Sequence, residues 1–255
     1  MPKVPFDEID SYIEELDDYF DEPGDGFLDA PFVPSDETVV EAMLELAQVG
    51  PQDFLYDLGS GDGRILIAAA RQRDARGLGI ELDPQLVATA QRDARLLGLD
   101  DHVGFLEEDI FRIELRGATV VFLYLLQDVN LMLRHKLLAE LRPGTRVVSQ
   151  AFDMGDWLPD DWIQLGGTTL FKWIVPARVA GTWNWEGLDG TPFQVELKQK
   201  YQEVRGQAWR AGQQLPLERA ELQGNRLKLA IADEEAERLH SFTLTFAEGK
   251  LQSVR

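Results

Sequence analysis

The chain has 255 residues, 44% of them hydrophobic, no cysteine and a net charge of −20. That length holds one large domain, or a domain of about 150 residues with a small companion, and it leaves no disulfide or thiolate chemistry. No apolar run approaches the roughly 20 residues of a membrane span, and the first residues lack the basic-then-apolar order of a secretory signal, so a cytoplasmic protein without membrane insertion is expected.

The charge is uneven. Residues 1–30 carry eleven acids and one base, Lys3, which gives −10, half of the total. No Lys/Arg cluster appears anywhere. A protein that neutralises phosphates needs one, so nucleic acid is not expected as a partner, and a basic protein is.

In chain order, Ile9, Tyr12, Ile13, Leu16 and Phe20 recur at helical spacing and predict an amphipathic helix, broken by the Pro-Gly-rich stretch at 22–26. Ser35 is placed to cap a second helix, with Asp36 and Glu37 in its first turn and Val39, Val40, Met43, Leu44 and Ala47 on its apolar face. From Asp53 short apolar runs alternate with helical ones. Strands are predicted at 54–58, 77–82, 103–107, 118–125 and 145–151. Helices are predicted at 64–73, from Asp83-Pro84 onward, and at 129–141. This alternation means a mostly parallel, doubly wound α/β sheet with helices on both faces. Beyond 180 the pattern changes to alternating Trp183, Trp185, Phe193, Val195 and Leu197. Hairpin turns are predicted at Gly224-Asn225 and Glu248-Gly249, with a helical turn at 234–238, so 181–255 reads as a small antiparallel β unit.

The chemistry concentrates at Asp57-Leu58-Gly59-Ser60-Gly61-Asp62-Gly63-Arg64, between a strand and a helix. Glycines there let the backbone turn sharply and approach a ligand, and the helix N-terminus offers N–H groups to an anion. The dinucleotide fingerprint puts its third small residue one place later. Position 64 is instead an arginine, which is expected to obstruct the close helix–strand contact. Asp57 beside the loop is unhelpful to a pyrophosphate but suits a ligand carrying an ammonium and a sulfonium. Glu81, closing the second strand, is placed to accept ribose hydroxyls. Asp109, after the third, is placed to accept from an adenine amino group, with Ile110 packing on the ring. Three acids at the carboxyl ends of three adjacent strands line one crevice. His102, His135 and His240 are scattered, and no nucleophile or metal-ligand spacing appears.

With Pro31-Phe32-Val33-Pro34-Ser35, the loop at 57–64, Leu123-Tyr124-Leu125-Leu126 with Val129-Asn130, and Gly144-Thr145-Arg146-Val147-Val148-Ser149, residues 31–176 resemble the class I S-adenosylmethionine-dependent methyltransferases. More narrowly they resemble small protein-lysine methyltransferases, a group with an archaeal broad-specificity enzyme and the mitochondrial enzyme acting on the ATP synthase c-subunit. A looser likeness continues through Asp153 to Asp160. The resemblance implies a seven-stranded sheet, S-adenosyl-L-methionine as cofactor, and a cofactor set of Pro34, Asp57, Gly59, Ser60, Gly61, Asp62, Gly63, Glu81, Leu82, Asp109, Ile110 and Tyr124. It implies Tyr124 and Asn130 as candidate catalytic residues; with no cysteine a metal site would need carboxylates alone, and none is expected. Leu-Tyr-Leu-Leu stands where amino-group methyltransferases usually carry a polar-Pro-Pro-aromatic motif. The expected organisation is an acidic helical segment at 1–30, a methyltransferase domain at 31–180 and the β unit at 181–255. The expected function is methyl transfer to a protein lysine. The alternatives are small-molecule N- or O-methylation and cofactor binding without catalysis, with a dehydrogenase least favoured.

Overall fold

In the computed structural model, residues 33–233 and 237–255 are described. The predicted N-terminal helix, Pro31 and Phe32 lie outside them, as does most of the turn expected at 234–238. The elements run α1 (Glu37–Leu46), β1 (Phe54–Leu58), α2 (Arg64–Arg73), β2 (Arg76–Glu81), α3 (Pro84–Leu96), β3 (Val103–Glu107), β4 (Val120–Leu123), α4 (Gln127–Glu140), β5 (Arg146–Gln150), β6 (Asp161–Leu165) and β7 (Thr168–Ile174). Then come β8 (Gly181–Glu186), β9 (Pro192–Lys200), β10 (Glu203–Arg210), β11 (Gln213–Leu215), β12 (Leu217–Gln223), β13 (Arg226–Asp233), β14 (Arg238–Ala247) and β15 (Lys250–Val254).

The first sheet has seven strands in the order β3-β2-β1-β4-β5-β7-β6. Pairing is parallel from β3 to β5, and β7 runs antiparallel to β5 and β6. Strand residues alternate between two cores, as the pleat requires. Leu55, Val120, Phe122 and Val148 meet α1, α2 and α3 on one face. Tyr56, Leu58, Val121, Leu123 and Val147 meet Leu133 and Leu137 of α4, with Trp157 and Trp173, on the other. The doubly wound layering therefore follows from continuously apolar central strands.

The second sheet holds eight antiparallel strands, β8 to β15, so the predicted small unit has more strands than the sheet it accompanies. Its hairpins turn at Gly224-Asn225 and Glu248-Gly249 as expected. Trp183 lies edge-on to Phe246 and Trp185 to Phe242, each at 5.0 Å, which brings β8 against β14 around one apolar core. Residues Val33–Arg255 form one compact unit containing both sheets.

Three local expectations change. Ser35 does not cap α1: Asp36 holds that position, while the buried Ser35 hydroxyl donates to Gln150 Oε1 at 2.6 Å. The strand expected over 118–125 is shorter, because the chain leaves β4 after Leu123 and Leu125 packs over Gly59. The helix expected from Val129 starts two residues earlier, at Gln127.

Candidate active site

The glycine loop leaves β1 and enters α2 with Gly59, Gly61 and Gly63 all at positive φ (79°, 53° and 80°). Gly59 and Ser60 donate their N–H groups to Ile80 O at 2.8 and 3.0 Å, which ties the loop to β2. A Cβ on Gly63 would lie 2.5 Å from the Phe105 ring, and one on Gly59 would lie 2.7 Å from Leu125 Cδ2. The close helix–sheet contact is therefore made at Gly63, and Arg64 does not obstruct it. Arg64 turns away instead. Its Nε and Nη2 donate to Asp62 at 2.9 and 2.6 Å, and its Nη1 donates to Ser35 O at 2.8 Å. Burial alone would raise the Asp62 carboxyl, but the hydrogen bonds and charge of Arg64 outweigh it and hold the group below the usual carboxylate range. Arg64 and Gln150 together pin the segment beginning at Val33 over the glycine loop. Sequence reasoning missed both, since each works through a partner distant in the chain.

Asp57 is the most perturbed group. It is 2% exposed, its Oδ2 is buried with no hydrogen-bond partner, and its carboxyl is pushed up to about 8. Burial is the main cause, followed by the negative charges of Glu81 and Asp62. Glu81 is braced by backbone: Oε2 accepts from Gly61 N at 2.9 Å, and Oε1 accepts from Leu82 N and Asp83 N at 2.8 and 3.0 Å. One carboxylate thus shapes both the glycine loop and the start of α3. Asp109 accepts from Phe111 N at 2.9 Å and lies 3.7 Å from Arg112, so it also organises the turn after β3. Ile110 is buried below it, and Leu82 is exposed at the rim. Asp57, Glu81 and Asp109 thus stand at or just beyond the carboxyl ends of three neighbouring strands, β1, β2 and β3.

On the other side of β1, Tyr124 follows β4 directly and is half-buried. Asn130 is wholly buried in α4, with its Nδ2 donating to Ser149 Oγ at 3.0 Å and Phe152 O at 3.2 Å, and its Oδ1 unpartnered. It fixes the carboxyl end of β5.

The donor set fits S-adenosylmethionine. A buried carboxylate with an orphaned oxygen awaits a cation, three glycines at positive φ let the loop turn sharply between β1 and α2, and α2 presents its N-terminus. Two open surface hollows of about 440 and 480 Å³ lie on the second sheet instead. They bring together no comparable set of buried, unpartnered charge, so the strand ends are the candidate site.

Comparison with known proteins agrees. The family model described as the ANTKMT methyltransferase domain matches residues 57–161. A protein-lysine N-methyltransferase of Saccharolobus islandicus is 40% identical over 136 residues, 53% of this chain and 84% of the relative. A lysine N-methyltransferase of Xenopus laevis named for the ATP synthase c-subunit is 30% identical over 58% of this chain and 64% of its own length. Among solved structures, one described as an RNA methyltransferase from Salinibacter ruber, in complex with S-adenosyl-L-homocysteine, shares 52% identity over 58% of this chain and 96% of that chain, with a TM-score of 0.57. With 40% identity to an archaeal relative that it covers over most of its length, this chain belongs to the family of S-adenosylmethionine-dependent methyltransferases that carry the ANTKMT-type domain.

Proposed function

We propose that this chain transfers a methyl group from S-adenosylmethionine to the amine of a lysine on a protein. The observation that carries the reading is Asp57, a buried carboxylate with one orphaned oxygen beside two other acids. Such a group is stable as an anion only against a cation. The predicted cofactor set divides by role. Asp57 faces the ligand's cationic end, and Gly59, Ser60, Gly61, Asp62 and Gly63 give backbone approach. Glu81, Leu82, Asp109 and Ile110 take the nucleoside, and Pro34 and Tyr124 line the side where the methyl leaves.

When bound, S-adenosylmethionine supplies a methyl group already activated on a sulfonium. The protein's share is orientation and exclusion of water. A lysine amine, with an ordinary pKa of about 10.4, must be neutral to attack, and an apolar lining favours that form. Tyr124 and Leu125 at the end of β4 provide such a lining. Asn130 acts behind them as a positioning residue, because its amide is committed to Ser149 and Phe152.

A lysine acceptor is supported by the names of the archaeal and amphibian relatives. The name given to the Salinibacter protein offers RNA instead, but a chain of net charge −20 without a basic cluster repels a polyphosphate. We take 31–180 as the catalytic part and 181–255 as its appendage. Incubating lysate with the protein and methyl-labelled cofactor tests the reading. Label that protease removes and ribonuclease leaves supports it. Ribonuclease-sensitive label, label only in small metabolites, or no transfer at all contradicts it.

A further inference from the structure

The segment from Phe152 to Leu158 has no helix or strand, yet side chains take up five of its seven backbone carbonyls. Asn130 donates to Phe152 O, Gln127 to Asp153 O and Arg134 to Met154 O, all from α4. Trp173 of β7 donates to Trp157 O at 2.7 Å. The last donor comes from the second sheet, with Gln202 Nε2 giving a 2.6 Å bond to Leu158 O.

Gln202 sits in the two-residue turn joining β9 to β10, and that turn, together with Lys200 at the end of β9, makes further contacts. Asp156 accepts from Lys200 Nζ at 2.9 Å and Tyr201 Oη at 3.0 Å, as well as from Arg134. The Tyr201 ring stacks on Trp157 at 6.0 Å. Tyr201 holds φ at +53°, a region that favours glycine or asparagine there.

We propose that the turn carrying Lys200, Tyr201 and Gln202 is a positioning element for the methyl acceptor. It holds the 152–158 segment, which leaves β5 beside the Tyr124 loop, in a single conformation. Phe152 and Asp153 are bound by Asn130 and Gln127, six and three residues beyond Tyr124, so the segment and the Tyr124 loop form one wall. The second sheet thereby sets acceptor recognition while the cofactor crevice, on the β1–β3 side, is untouched. This rests on the reading that the acceptor enters at the ends of β4 and β5.

The test uses the full chain and three readouts: affinity for S-adenosylhomocysteine, kcat and KM with poly-L-lysine, and hydrogen exchange of peptides covering 152–158. Tyr201→Phe and Lys200→Met each speed exchange in that segment and raise KM about tenfold, the loss of one charge-assisted hydrogen bond, while affinity for S-adenosylhomocysteine is unchanged. Lys200→Arg, which keeps the ion pair, restores KM. Unaltered exchange, faster exchange with unaltered KM, or a matching loss of cofactor affinity overturns the proposal. If the wild-type chain labels a specific protein and not poly-L-lysine, the same KM comparison on that protein decides the positioning role, and label found only on side chains other than lysine, or only outside protein, overturns the lysine reading itself.

Discussion

Asp57→Asn separates folding from function in one side chain. In the ligand-free protein the Asp57 carboxyl sits at about 8, whereas in the unfolded chain it returns to the ordinary aspartate value of about 3.9. Between those values the folded state binds the extra proton, so stability falls as pH rises through the window. From pH 6 to pH 9 the fall spans about two units below the folded value, at about 1.4 kcal/mol each, or roughly 2–3 kcal/mol. For a chain of this size that is on the order of 5–10 °C in melting temperature. The asparagine carries no titrating group, so the variant should lack this component and be the more stable protein at pH 9. It should also lose most of its affinity for S-adenosylmethionine. Calorimetric melting of ligand-stripped protein at both pH values measures the difference. Equal pH dependence in wild type and variant would refute the assignment of a buried, uncompensated carboxyl. The same linkage predicts that ligand binding at pH 7 releases a proton, visible as a buffer-dependent heat.

Glu81→Gln keeps the size of the side chain but replaces one carboxylate oxygen, among three backbone N–H bonds, with a donor. It should weaken cofactor binding by about 1.5–3 kcal/mol, read by titration calorimetry. Arg64→Ala frees both Asp62 and the Ser35 carbonyl. Because the arginine is partly exposed, the loss should be nearer about 1 kcal/mol, appearing mainly as faster cofactor release in stopped-flow measurements. Tyr124→Phe should lower turnover while leaving cofactor affinity nearly unchanged; an equal loss of binding would make Tyr124 part of the cofactor site alone. Raising salt should slow methylation of a basic protein, since exposed charges are screened beyond about 10 Å at 0.1 M.

What the sequence disclosed was local. β1, α2 and β3 fall at their expected bounds because apolar runs, the glycine loop and its flanking acids are contiguous signals. β6 and β7 were not delimited in advance. β6 is an edge strand whose Asp161, Trp162 and Gln164 face solvent, so it lacks the continuous apolar run that marks a buried strand. Ser35 looked like a helix cap because capping is a short-range habit, but its hydroxyl partner is Gln150, 115 residues away. Arg64 looked like an obstacle because its steric bulk is evident in sequence and its carbonyl partner at Ser35 is not. Within the site, Asp57, Glu81 and the glycines were recognisable by residue type. The bracing of Glu81 by Gly61, and the capture of the 152–158 carbonyls by α4 and the β9–β10 turn, depend on tertiary placement.

The identity of the methyl acceptor decides the proposed function. Its most direct measurement is mass-spectrometric peptide mapping of lysate proteins methylated by this chain with isotopically labelled S-adenosylmethionine. Label is expected on lysine side chains of basic proteins and is abolished by Asp57→Ala. Label confined to nucleic acid, to small metabolites, or to arginine or carboxylate side chains would contradict it.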